Sequence, residues 1–151
     1  MTTNEEYGRW VPLENIPLRL VCESIHDGDK GLSMVFREQA DLGKISKNQN
    51  TRSIRIIFDP AIAYRNIDES YRVRTFDTHQ DRIGSLFVVK NSEWVSWLHE
   101  ESYGMYVDNK IIHYAIFTLN DCIDILAEFE PTVEWINPYG AIAKAYFTIT
   151  L

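Results

Sequence analysis

The sequence predicts an α+β fold: mostly antiparallel sheet, two short helices and a C-terminal β-hairpin. Three observations predict it. Apolar and polar residues alternate at period two through much of the first 90 residues. The period lengthens to that of a helix near 92–101 and near 120–129. The links between neighbouring strand segments are too short for parallel crossovers, so adjacent strands should pair antiparallel.

Residues 1–17 carry Gly8, Pro12 and Pro17 and read as a loosely packed lead-in to a single domain spanning 1–151. Leu18, Leu20 and Cys22 then alternate with Arg19 and Glu23, and Leu32, Met34 and Phe36 alternate with Ser33 and Arg37. With the turn composition of 26–31 between them, these segments predict a hairpin over 18–38. Residues 40–52 are polar and rich in turn formers, which reads as a loop. Ile54, Ile56 and Phe58 share one side of a strand over 53–59; Pro60 interrupts it, and 61–68 continues as an edge or bulged strand. Tyr71 and Val73 alternate with Arg72 and Arg74, so 70–76 reads as another strand. The apolar run 85–90 suits a central strand.

The first helix, 92–101, opens on Asn91 or Ser92 as cap, with Glu93 in its first turn and Trp94, Val95 and Leu98 as its inward stripe. A strand follows over 111–117. Thr118 with Asp121 has the spacing of a capping box, and Cys122, Ile125, Leu126 and Phe129 fall at i, i+3, i+4 and i+7. They predict the second helix, about 120–129, stopped by Pro131. Its other side would carry Asp121, Asp124 and Glu128 as an exposed acidic row. Strands over 132–136 and 141–151, separated by the turn residues 137–140, close the chain as a hairpin.

Charge is unevenly spread. Residues 1–90 hold 13 basic and 13 acidic residues, whereas 91–151 hold 2 basic and 9 acidic, so the net charge of −7 lies in the last 61 residues. That asymmetry bears on partners rather than fold. It argues against nucleic acid, which requires a basic face, and fits a basic protein partner. No apolar run approaches the roughly 18 residues of a membrane span, and the acidic N-terminal segment lacks the features of a signal peptide. A cytoplasmic protein is expected, with Cys22 and Cys122 reduced and mostly buried.

No catalytic, metal or cofactor motif is present. His26 and His79 fall in turns, His99 lacks the second histidine of a zinc-binding HExxH, and His113 suits a hydrogen-bonded, partly buried imidazole. Arg52, Arg55, Arg65, Arg72 and Arg74 lie among Asp59, Asp68, Glu69, Asp77 and Asp81, so ion pairs across strands account for them. Trp94, Trp97, Tyr103 and Tyr106 sit beside Glu93, Glu100, Glu101 and Asp108. Trp97 lies off the Trp94–Leu98 stripe, which leaves its indole available at the surface. Aromatic rings flanked by carboxylates are a common composition for protein interfaces. The residues expected to meet a partner are Glu93, Trp97, Glu100, Glu101, Tyr103, Asp121, Asp124 and Glu128.

Phe58, Tyr64, Arg65 and Glu69, followed by "NSEWVSWLHEES" and "HYAIFTLNDCID", carry a resemblance. Over roughly 53–136 the chain resembles the immunity proteins, or antitoxins, of contact-dependent growth inhibition and related polymorphic-toxin systems of bacteria. The resemblance implies a non-enzymatic cytoplasmic protein without cofactor, which binds one toxin domain, often a nuclease, and blocks it by occlusion. The alternatives are a small enzyme with a motif-free carboxylate site and a ligand-binding or structural module.

Overall fold

The computed structural model describes residues 4–39, 51–80 and 82–136. Among them, strands β1 (Glu6–Arg9), β2 (Leu20–Gly28), β3 (Gly31–Glu38), β4 (Ser53–Phe58) and β5 (Ala63–Asp68) come first. A 3-10 turn (Glu69–Tyr71) and α1 (Val73–Thr78) follow, then β6 (Leu86–Lys90), α2 (Glu93–Glu101), β7 (Ile112–Phe117), β8 (Asp121–Ala127) and β9 (Thr132–Ile136). The strands form two wholly antiparallel sheets, ordered β1-β6-β7-β8-β5 and β2-β3-β4-β9. The α+β class holds, with both helices short.

The two sheets pack face to face. Leu32, Met34, Phe36, Ile54, Ile56 and Phe58 from the smaller sheet meet Leu86, Tyr114, Ile116, Ile123 and Ile125 from the larger in one apolar core. In β3 the buried residues alternate strictly with partly exposed ones, the pattern of a sheet with one face in the core. At the tight turn from β2, Gly31 has φ +97° and a Cβ there would stand 2.4 Å from the Phe58 carbonyl, so only glycine fits.

The larger sheet is covered on its second face too. There Phe87, Val89, Ala115, Phe117 and Cys122 pack under Tyr7 and under Phe76 of α1. Trp94 of α2 lies edge-on to His113 at 5.6 Å. The guanidinium of Arg82 sits 4.0 Å above the Phe117 ring and 4.4 Å above that of Phe76. The order of layers is thus small sheet, large sheet, helices.

Three expectations change. The segment expected as a second helix is β8. A strand buried on both faces shows no alternation, so its apolar residues can fall at helical spacing by accident. The capping-box pair closes the β7–β8 hairpin instead. The Asp121 N–H donates to Thr118 Oγ1 (3.0 Å), and the Thr118 hydroxyl donates to the Asp121 carboxylate (3.1 Å). Second, 70–76 is not a strand. Asp68 accepts from the Ser70 N–H at 2.9 Å and starts the turn into α1, so Arg72 and Phe76, four apart, face inward while Arg74 faces out. Third, the lead-in is tied down: β1 pairs with β6, Trp10 packs on Tyr114 at 5.0 Å, and the Pro17 carbonyl accepts from Ser85 at 2.9 Å. β9 pairs with β4 at the edge of the smaller sheet, and the strand over 141–151 expected to close a hairpin with it lies outside the described residues.

Both cysteines are free; Cys122 is buried and Cys22 only half-buried. Among the described residues no helix is long and apolar enough to cross a membrane.

Candidate functional site

The helix-covered face of the large sheet holds a polar network centred on a strand residue. Asp124, on β8, is 1% exposed. One of its oxygens, Oδ1, accepts from His113 Nε2 at 2.6 Å; the other, Oδ2, accepts from Arg72 Nη1 at 2.7 Å and Arg65 Nε at 3.0 Å. The register explains the convergence. Asp124 pairs with Arg65 on β5 and with Ala115 on β7, which places Arg65, Asp124 and His113 on the same face of the sheet. Arg72 arrives from the start of α1. Isolated burial of a carboxylate would be prohibitive, and three charge-assisted or polar bonds offset it. Burial alone would push the Asp124 carboxyl up, but the His113 bond and the Arg72 and Arg65 guanidiniums outweigh it and hold the group at about 2.

The chain of bonds continues to α2. Ser92 Oγ lies 2.7 Å from His113 Nδ1 and accepts from the Val95 N–H at 3.1 Å. A carboxylate only accepts, so His113 Nε2 carries the proton toward Asp124; in the neutral ring Nδ1 then accepts from the Ser92 hydroxyl. Serine, histidine and aspartate in a row are the parts of a nucleophile triad. Here, however, the serine oxygen caps the helix, and the aspartate already answers two guanidiniums. The chemistry of this row is that of a tie: it fixes α2 to β7 and β8.

On its outer side α2 displays the acidic and aromatic residues. Glu93, Trp97, Glu100 and Glu101 fall at i, i+4, i+7 and i+8 and are all exposed, so carboxylates flank the half-exposed indole along one face. A groove of about 1470 Å3 beside this face is lined by Glu5, Glu6, Glu93 and Glu100 against Lys90 and Lys110, with Trp97 in its wall. Beyond the helix, Tyr103 is 99% exposed with φ 52°. A bulky side chain in this left-handed region costs about 1–2 kcal/mol, held here by bonds from the Tyr103 and Gly104 N–H groups to the Glu100 and His99 carbonyls. Met105, Tyr106 and Val107 add exposed apolar surface beside it.

Of the residues expected to meet a partner, Glu93, Trp97, Glu100, Glu101 and Tyr103 gather on α2 and the turn after it. The other three lie on or just after β8 and form no row. Asp124 is buried in the network, Asp121 is half-buried in the hairpin turn, and Glu128 is exposed one residue beyond the strand. The five arginines do make ion pairs, to Glu38, Glu134, Asp124 (twice) and Glu93, none of them a carboxylate expected from proximity in sequence. Sequence reasoning missed the network itself. Its local signals are the hydrogen-bonded imidazole expected at His113 and an aspartate inside the apolar run "CIDILA", a charge that needs a buried partner whichever element it sits on. Among the described residues no group of three histidine, cysteine or carboxylate side chains could hold a metal ion.

Searches with this chain against protein-family models, curated proteins and solved structures find no match.

Proposed function

We propose that the protein is an immunity-type antitoxin that neutralises a cognate toxin domain by binding it through the outer face of α2 and the turn that follows. The observation that carries this reading is the disposition of Trp97: a half-exposed indole on a helix anchored from beneath, with Glu93, Glu100 and Glu101 around it. Exposed aromatics supply interface affinity, and the surrounding carboxylates supply orientation and association rate toward a basic surface. Tyr103, Met105, Tyr106 and Val107 extend the contact area as one exposed apolar turn. A basic nuclease is the partner chemistry that the acidic groove and the charge of the last 61 residues complement.

Co-expression with the C-terminal domain of a toxin encoded immediately upstream tests the reading through cell survival and co-purification. Trp97→Ala should weaken the complex by about tenfold or more, the scale of a central aromatic contact. Replacing Glu93, Glu100 and Glu101 together by Gln should slow association about tenfold at low salt, with the gap closing as salt rises. A toxin neutralised equally well by all these variants would remove α2 from the interface. Absence of any complex with the neighbouring gene product would remove the function.

A further inference from the structure

A second cleft lies on the other side of Trp97, among β5, α1 and α2. It measures about 540 Å3 and is lined by Arg65, Arg72, Arg74, Trp94 and Trp97, with Glu5 and Glu93 also in its wall. That volume is within the usual range for small-molecule sites, about 300–1,000 Å3.

Its charges do not cancel evenly. Arg65 and Arg72 both bond to the same atom, Asp124 Oδ2, so two guanidiniums share one carboxylate. Arg74 and Glu93 meet at 3.4 Å with both side chains more than half exposed, a loose pair that a competing anion can open. The Glu5 carboxylate is engaged with the Glu93 N–H at the start of α2, at 3.0 Å. In number the three guanidiniums are matched by Asp124, Glu93 and Glu5, so the excess is local: Arg65 and Arg72 together carry one positive charge more than the Asp124 carboxylate they share.

The donors that would use it are also in place. Among the described residues, the bonds from these guanidiniums occupy Nε of Arg65, Nε and Nη1 of Arg72, and Nη2 of Arg74. Both Nη atoms of Arg65 and Nη2 of Arg72 remain for a ligand. The Arg65 guanidinium is stacked 4.4 Å from the centre of the Trp94 ring, which fixes the direction of its fork. Trp97, half-exposed at the mouth, offers a flat apolar surface next to these donors.

We propose that this cleft binds a small oxyanion, carboxylate or phosphate, carried on a flat ring: the oxyanion on Arg65 and Arg72, the ring against Trp97. The site does not rest on the toxin-binding reading and is tested on the protein alone.

The four tryptophans make the test self-controlled. Trp94 and Trp97 line the cleft, whereas Trp10 packs on Tyr114 and Trp135 lies under Arg52. The indole N–H signals are followed by two-dimensional NMR during titration with benzoate, phenyl phosphate, inorganic phosphate and benzyl alcohol. Benzoate or phenyl phosphate should shift Trp94 and Trp97 saturably and leave Trp10 and Trp135 in place. The stronger of the two identifies the oxyanion. Inorganic phosphate should compete, and benzyl alcohol should not bind. Arg65→Lys keeps the charge but loses the fork, and Arg74→Ala removes the outer cation. Each should weaken binding by about three- to tenfold, with the Trp10 and Trp135 signals reporting an intact fold. No saturable shift with either aryl anion, equal shifts with benzyl alcohol, or affinity unchanged in both variants would overturn the proposal.

Discussion

The two sheets use the same chemistry, arginine paired with a carboxylate across strands, in opposite surroundings. On the outer face of the small sheet Arg37 meets Glu23 at 2.9 Å and Arg55 meets Glu134 at 3.0 Å, each side chain keeping 38% to 46% of its surface. On the helix-covered face of the large sheet Arg72 and Asp124 meet at 2.7 Å with 11% and 1% exposed. Distance hardly differs. Solvent does, and solvent decides what each pair contributes. Water screens the exposed pairs, and fixing their long side chains costs entropy, so they contribute little. The buried carboxylate has no water to fall back on, so each partner is required. The comparison separates pairs that decorate a sheet from one that ties β5, α1, β7, β8 and, through His113 and Ser92, α2 into a single frame.

The largest expected effect follows directly. Asp124→Asn keeps the shape but leaves the mostly buried Arg72 guanidinium without its counter-charge. Removing one partner of a buried pair typically costs about 3–5 kcal/mol. Urea unfolding should show that loss as a lowered midpoint. A change below about 1 kcal/mol would mean that water reaches the network and that it is no more than a surface pair.

The next effect is on pH dependence. The Asp124 carboxyl is held at about 2 in the folded chain, below the roughly 3.9 of an unfolded aspartate. A depressed carboxyl contributes stability above its unfolded value and loses it as pH falls toward the folded one, so the window is about pH 4 to 2. The contribution at neutral pH is on the order of 2–3 kcal/mol. Comparing unfolding midpoints of the wild type and Asp124→Asn across this range isolates it from other carboxylates. The difference between the two proteins should narrow steadily below pH 4, and a constant gap would contradict the network's electrostatic account.

The same contrast governs what the sequence could reveal. The small sheet has one face in the core and one in water, so β2, β3 and β4 display the period-two alternation that identifies them in sequence. β8 has neighbours on both faces, and its buried run carries no such signature; Cys122, Ile125 and Leu126 fall at helical spacing, so the sequence predicts a helix where the chain forms a strand. The difference extends to function: a helix would place Asp124 on a solvated row, whereas the strand buries it to 1% exposure. α2 was legible because its cap, first-turn acid and apolar stripe are all local signals. Hence the residues on α2 that are expected to meet a partner do lie together on its exposed side. The network was not legible, because Arg65, Arg72, Ser92, His113 and Asp124 come from five elements that only strand register and the packing of α1 and α2 bring together.

The smallest expected effect is the one that tests the comparison most sharply. Arg55 and Glu134 are directly opposed on β4 and β9, the most favourable placement for a cross-strand pair. Even so, with about two-fifths of each side chain in solvent, the pair should contribute no more than about 1 kcal/mol. Glu134→Gln keeps the length and polarity of the side chain and removes only its charge. Its unfolding midpoint should lie close to that of the wild type at low salt. At about 1 M salt, where the screening length falls to about 3 Å, the remaining difference should disappear. The gap between wild type and Asp124→Asn should largely survive the same salt, because the Arg72–Asp124 contact itself is almost out of solvent, with 11% and 1% of the side chains exposed. If Glu134→Gln instead costs about 2 kcal/mol or more at any salt, the outer face of the small sheet is itself shielded from water. The contrast between the two sheets would then be one of register and geometry rather than of solvent.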